Sequence, residues 1–166
     1  TNEGWIEFPS DHSYRPSIFP PETADHLAKA NLYMIQEIVE YVSEPGQLIL
    51  DPMSGTGTIM VAALMGRKVI CIEISEYFHN IQQKALLKLE NIAPGIIEEI
   101  TLINMPCQRY LPIPELADHI IFSPPYSNIM KSKGTDKLTI EENRTSMLAE
   151  YSSDPIRKSI LLWEQT

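Results

Sequence analysis

The sequence predicts an α/β fold built on an open, three-layered parallel sheet, and three observations carry that expectation. Four apolar runs, at 47–50, 68–73, 99–103 and 119–122, alternate with segments of helical periodicity. Strands separated by helices pair in parallel, because each crossover helix returns the chain to the same end of the sheet. The two most distinctive motifs, Asp51–Thr58 and Ser123–Tyr126, each follow directly on one of these runs. In such sheets ligands sit beyond the carboxyl ends of strands, near the point where strand order reverses. Distance in sequence is therefore no obstacle to the two motifs sharing one crevice.

The elements follow in order. Residues 1–20 are rich in proline and aromatics (Trp5, Phe8, Tyr14, Phe19, Pro20) and read as an extended lead-in. Pro21-Glu22 opens a helix with Leu27, Ala30, Ile35, Ile38, Val39 and Val42 at helical spacing, and Pro45-Gly46 ends it. After the strand at 47–50, Ile59 to Leu64 reads as a short apolar helix closed by Gly66. A second strand at 68–73 leads to a helix from about Glu76 to Glu90, broken by Pro94-Gly95. A third strand spans 99–103. A loop spaced by Pro106, Pro112 and Pro114 then reaches Ile120-Ile121-Phe122, which reads as a buried fourth strand. One domain over 1–166 is expected, with a lead-in at 1–20, a core at 21–130 and a tail at 131–166. Within that tail, Ile160 to Trp163 is an apolar run that fits one short strand or helix.

Composition narrows the class. At 166 residues and 43% hydrophobic content the chain can bury an ordinary globular core. No apolar stretch approaches the roughly 18 residues needed to span a bilayer, and no signal-peptide pattern opens the sequence. Two cysteines, Cys71 and Cys107, make no disulfide framework, so a reducing, cytoplasmic setting is expected. The four histidines show no ligand spacing, and no metal is expected. The formal charge of −9 is unfavourable for a phosphate-binding surface. Lys131, Lys133 and Lys137 nevertheless make the stretch after Tyr126 locally positive.

The motifs carry specific chemistry. In Gly55-Thr56-Gly57 the missing side chains let the backbone turn tightly and approach a ligand, and the following helix presents its N–H groups. Asp51 at the strand end can pair with a ligand ammonium, which a phosphate-binding loop would not favour. The loop lacks both the full GxGxxG pattern and the GK[ST] of a P-loop, and an ordinary strand-to-helix turn is the alternative. Glu73 lies 22 positions beyond Asp51. That is the spacing at which an acidic residue accepts ribose hydroxyls in nucleotide-binding α/β units, with a solvated carboxylate as the alternative. Ile74 beside it can cover an adenine face. In Ser123-Pro124-Pro125-Tyr126 the prolines hold the chain extended and donate nothing, so turn carbonyls can accept from a substrate NH₂. Tyr126 can stack on an extruded base. The alternative there is a plain proline turn.

Asp51-Pro52-Met53-Ser54-Gly55-Thr56-Gly57-Thr58 and Ser123 to Tyr126 together resemble the DNA amino-methyltransferases, in which DPxxGxGT is the cofactor loop and [SND]PP[YFW] the catalytic motif. Tyr14 to Glu22 resembles the family segment that touches the methionine part of the cofactor. The resemblance runs from about residue 12 to about residue 130. It implies a class I, Rossmann-like methyltransferase sheet and S-adenosylmethionine as cofactor. Cofactor contacts would fall to Phe19, Pro20, Asp51, Pro52, Ser54, Gly55, Gly57, Thr58, Glu73 and Ile74. Asn104 stands where the family often has an acidic residue for the adenine. Ser123, Pro124, Pro125 and Tyr126 would hold the flipped base, and Lys131, Lys133 and Lys137 would contact phosphate. A serine in first place is typical of members that modify the 4-amino group of cytosine, and aspartate of those acting on adenine. DNA is the implied partner, alongside a restriction endonuclease.

Beside an adenine 6-amino DNA methyltransferase, three other readings compete. A tRNA guanine 2-amino methyltransferase shares the fold but usually carries [DN]PPY. Pro106-Cys107-Gln108 resembles the nucleophile of cytosine carbon-5 methyltransferases, yet Cys107 follows the third strand rather than the fourth. A non-catalytic fragment or subunit that binds cofactor or a partner is the third. The family sheet has seven strands and only four are read here, with no target-recognition segment. The expectation is therefore a truncated chain or one half of a split enzyme, with the fourth strand as an exposed edge.

Overall fold

The computed structural model describes residue 4 and residues 6–26, 29–114 and 116–123. Pro124, Pro125, Tyr126, Lys131, Lys133, Lys137 and the run at 160–163, all singled out above, lie outside the described residues, as do Trp5 and Leu27.

Four parallel strands form the sheet: β1 (Leu48–Asp51), β2 (Lys68–Glu73), β3 (Ile100–Asn104) and β4 (His119–Ile120), in spatial order β3-β2-β1-β4. Register runs Asp51 opposite Cys71, Glu73 opposite Asn104, and Leu50 opposite Ile120. Strand order reverses between β1 and β4, so the ends of these two neighbours flank the switch point. Alternation along the strands sends Ile49, Val69 and Cys71 into one apolar cluster and Leu50, Ile70 and Ile72 into a second. The first cluster is completed by α1 (Arg15–Ile18), α2 (Leu32–Val42), a 3₁₀ helix (Thr58–Met65) and α3 (Glu76–Ile92). The second is covered by Met105, Leu111, Leu116 and the short α4 (Cys107–Tyr110).

Several elements depart from the sequence reading, each for a local reason. The lead-in is not extended throughout, since Arg15–Ile18 makes one helical turn. The helix expected from Pro21 is two pieces: a 3₁₀ turn at Pro21–Asp25, and α2, which starts only at Leu32. Asn31 resets the start, its side chain accepting the Met34 N–H at 3.2 Å, while Asp11 accepts the Leu32 N–H at 2.9 Å. Two of the donors orphaned at a helix start are thereby satisfied. Ile38 and Val42, read as core, are exposed on the outer face of α2. The apolar helix after β1 is 3₁₀ rather than α, bounded by Gly57 and Gly66, both with positive φ. A 3₁₀ helix rises about 2.0 Å per residue against about 1.5 Å, so it carries the chain back along the sheet in fewer residues.

The fourth strand is the largest correction. It spans two residues rather than four, and Ile120 and Phe122 are 60% and 47% exposed. A fully buried Ile or Phe gains roughly 1.5–3 kcal/mol, and these two forgo about half of it. β4 pairs only with β1 and stands at the sheet edge among the described residues. Asp118 secures its entry, with Oδ2 accepting the Leu48 N–H at 2.7 Å, and Ile121 N–H donates to Leu50 O at 3.0 Å.

Arg15 joins the lead-in to the core. Its guanidinium, 5% exposed, donates to Asp11 Oδ2 (2.6 and 3.1 Å), to Thr58 Oγ1 (3.1 Å) and to the Ala30 carbonyl. Burial pushes the Asp11 carboxyl up, but the Leu32 N–H and the Arg15 charge outweigh it and hold the carboxyl below its ordinary value. A depressed carboxylate stabilises the fold above its unfolded pKa, and that contribution is lost as pH falls through the folded one. Replacing Arg15 by Met leaves the Asp11 charge without its partner and should cost about 2–4 kcal/mol in urea unfolding at neutral pH. A loss below about 0.5 kcal/mol would show that the lead-in is not held this way.

Candidate cofactor site at the carboxyl ends of the strands

The site is built on the turn that leaves β1. Asp51, the last residue of that strand, is 8% exposed, and its Oδ1 accepts the Met53 N–H at 3.0 Å. Burial, with a smaller contribution from the Glu73 charge, pushes its carboxyl up to about 7 despite the lowering effect of the Met53 bond. Such a group is half protonated near neutrality, and a cation placed beside it would draw it back to the ionised form. Pro52 and Met53 carry the chain outward, half-buried, and Ser54 docks it on the neighbouring strand end. Both the Ser54 N–H and hydroxyl donate to Ile72 O at 3.0 Å.

Glu73 ends β2 two residues beyond the partner of Asp51. Its carboxylate is 4% exposed, with Oε2 accepting the Gly55 N–H at 2.7 Å and Oε1 accepting the Ser75 N–H at 2.8 Å. The residue expected to face a ribose thus also fixes the glycine loop.

Both loop glycines have positive φ, +53° at Gly55 and +82° at Gly57, and both are closely crowded. A Cβ on Gly55 would meet His26 Nε2 at 3.0 Å; one on Gly57 would meet Gln82 Cγ and Met60 Sδ at 3.1 Å. His26 packs at a tilt against Phe78 of α3, with ring centroids 5.0 Å apart, and burial lowers its pKa. The sequence offered no clue to His26, which shows no motif spacing. Gln82 was equally overlooked, although an amide inside the apolar stripe Phe78-Ile81-Ala85-Leu89 is a signal of a buried polar role.

The remaining expected residues are distributed as follows. Phe19 is wholly buried and belongs to the core cluster rather than to an open surface, and Pro20 beside it is buried as well. Thr58 accepts from Arg15 at the start of the 3₁₀ helix. Ile74 is half-buried, and Asn104 is exposed, its amide donating to Glu73 O at 2.8 Å and Ile74 O at 3.3 Å. Ser123 is exposed and emerges two residues past Ile121, at the same end of the sheet as Asp51. Cys71 is completely buried and its thiol is pushed well up, mainly by burial, so it is no nucleophile at neutral pH. Cys107 sits on α4, which follows β3 rather than β4. Among the described residues no cluster of His, Cys, Asp and Glu could hold a metal, and no helix is long and apolar enough to cross a membrane.

A parallel sheet of order β3-β2-β1-β4 with a glycine loop after β1 and an acidic residue after β2 is the fold of the class I methyltransferases. TrmN from Thermus thermophilus superposes with a TM-score of 0.50 at 23% identity, over 72% of this chain and 34% of TrmN. A SAM-dependent methyltransferase from Thiobacillus denitrificans, solved with S-adenosyl-L-homocysteine, gives 0.47 at 18% identity over 70% of this chain and 44% of that one. The family resemblance read from the motifs is matched independently, since residues 3–84 fit the family model described as DNA methylase. YubD of Escherichia coli (strain K12), described as a methylase, is 33% identical over 66 residues, 39% of this chain. That alignment spans 29% of YubD, so the chain corresponds to less than a third of the curated relative it matches.

The crowding at Gly55 generates a prediction with an internal control. Gly46 also has positive φ, +88°, but nothing lies within 4 Å of its Cβ position. Ala at Gly46 should cost roughly 1–2 kcal/mol from the left-handed backbone alone. Ala at Gly55 should cost clearly more in the same urea titration, because His26 must also move. Equal losses would show that His26 yields freely and does not brace the loop.

Proposed function

We propose that this chain carries the cofactor-binding part of an S-adenosylmethionine-dependent methyltransferase acting on the exocyclic amino group of a base in DNA, with cytosine N4 as the target. The observation that carries the reading is the pair of buried carboxylates, Asp51 and Glu73, flanking a glycine loop at the carboxyl end of β1, with Ser123 following the neighbouring strand. The donor set suits this cofactor. Asp51, half protonated when alone, takes the ammonium of the methionine part; Glu73 takes ribose hydroxyls; Ile74 covers the adenine. Gly55 and Gly57 allow the close approach that side chains would block.

Bound here, S-adenosylmethionine would supply an already activated sulfonium methyl to the amino nitrogen, leaving S-adenosylhomocysteine and releasing one amine proton to solvent. The chain's own contribution is orientation. The amino group of a base is a poor nucleophile because its lone pair is delocalised into the ring. Hydrogen bonds from that group to Ser123 and to the Pro124 carbonyl hold the nitrogen in line and favour its pyramidal form. Tyr126 stacks on the flipped base, and Lys131, Lys133 and Lys137 meet backbone phosphate.

The test is direct. The chain is incubated with methyl-labelled S-adenosylmethionine and, separately, duplex DNA and tRNA, and the labelled nucleoside is identified after digestion. The expected product is 4-methylcytosine, lost in Asp51→Asn and Ser123→Ala variants. Label in 6-methyladenine would move the target to adenine, and label in 2-methylguanosine would overturn DNA as substrate. No labelled nucleoside from a protein that binds S-adenosylhomocysteine would overturn transfer by this chain alone and leave it the cofactor-binding part.

A further inference from the structure

The glycine loop is gripped from α3 by a side chain that no motif includes. Gln82 has no solvent exposure, and its Nε2 donates both to Ser54 Oγ at 2.8 Å and to Gly55 O at 2.6 Å. Chemistry fixes this orientation of the amide: the Gly55 carbonyl can only accept, so the NH₂ must face it, and Oε1 is left buried without a partner. Burying an amide with one end unpaired is costly. The position therefore serves the loop rather than the packing of α3, whose neighbouring buried residues are Phe78, Ile81, Ala85 and Leu89.

The consequence lies on the other side of the same peptide. In a planar trans peptide the carbonyl and the following N–H point in opposite directions. With Gly55 O held on Gln82, the Thr56 N–H is directed away from α3. Thr56 is 2% exposed, yet its N–H has no hydrogen-bond partner among the described residues. Buried backbone N–H groups without a partner are rare. The two neighbouring amides of the loop are both engaged, Gly55 N–H by Glu73 and Gly57 N–H by Ser54 O at 2.8 Å. Among the backbone amides of the Gly55–Gly57 turn, that of Thr56 is thus the one still able to meet a ligand.

We propose that Gln82 is a positioning residue: by holding the Gly55 carbonyl it turns the Thr56 N–H toward the bound cofactor, where that N–H donates to the carboxylate of the methionine part. This rests on the cofactor reading above and adds to it the assignment of the carboxylate to one amide and of that amide's direction to one side chain. Asp51 takes the ammonium of the same amino-acid group, so the two charges of the ligand are read by opposite partners a few residues apart.

The experiment compares two ligands on the full chain by calorimetry, S-adenosylhomocysteine and its decarboxylated analogue, which keeps the amine and lacks the carboxylate. Gln82→Leu should lose roughly ten- to a hundredfold in affinity for S-adenosylhomocysteine, the range for one hydrogen bond to a charged group, and little for the analogue. Equal losses for both ligands would overturn the assignment, since a merely structural role weakens the whole site. Should Gln82→Leu fail to fold, amide exchange in the wild-type chain decides. Thr56 N–H should be protected by S-adenosylhomocysteine and not by the analogue; protection by both, or by neither, rejects the proposal. A wild-type chain that binds neither ligand would overturn the cofactor reading itself, an outcome distinct from binding with equal losses.

Discussion

Glu73 stands at the carboxyl end of β2 with almost no exposure, and its two oxygens accept the N–H groups of Gly55 and Ser75. The shape of the site depends on that arrangement. The first bond fastens the glycine loop, which leaves β1, to the end of the neighbouring strand. The second fixes the turn into α3, and so the helix that carries Gln82 and Phe78 to the loop's far side. Charge-assisted bonds of this kind are about twice as strong as neutral ones, and here they also spare a buried carboxylate from standing unpaired. One carboxylate thus ties the loop after β1 and the turn into α3 to the end of β2.

A second carboxylate close by makes the arrangement electrostatically incomplete. Asp51 shares the same buried region, and burial together with the Glu73 charge pushes it up to about 7. The sign of the linkage is clear. A carboxyl whose folded pKa lies above its unfolded value stabilises the unliganded fold only at low pH, and that stability declines as pH rises from the ordinary carboxylate range to about 7. At neutral pH the site therefore gains from a cation. A ligand ammonium beside Asp51 would restore the ionised form and release a proton. A buried Asp51 carboxyl, a glycine loop with one unengaged backbone amide and a strand-end position at the switch point suit the cationic cofactor proposed above.

Much of this was legible in the sequence, for physical reasons that can be named. Gly55 and Gly57 announced themselves because the turn needs positive φ, and Glu73 because its 22-residue spacing from Asp51 is imposed by one strand–helix–strand unit. The parallel sheet followed from alternation alone. What escaped the reading is long-range pairing of polar groups. Arg15 and Asp11 lie in a segment whose prolines suggested extended chain, and their partners Thr58 and Leu32 are far away in sequence. Asn31 outweighed Pro21 as the place where α2 begins because its cap is completed by Asp11, a contact no local pattern encodes. Gln82 belongs to no motif, and its partners Ser54 and Gly55 lie on a distant turn. The run Ile120-Ile121-Phe122 misled in length and burial, though not in its edge position, since apolar character alone does not say how much of a run is paired or covered.

The claim on which the account turns is that Asp51 is poised to receive a cationic amino-acid group. Its side-chain carboxyl can be titrated by carbon-detected NMR with and without S-adenosylhomocysteine, using Asp51→Asn to assign the resonance. The account predicts a midpoint near 7 in the unliganded chain, falling by more than two pH units when the ligand is bound. A midpoint that stays near 7 with the ligand bound would contradict it, and so would an ordinary carboxylate value in the free chain.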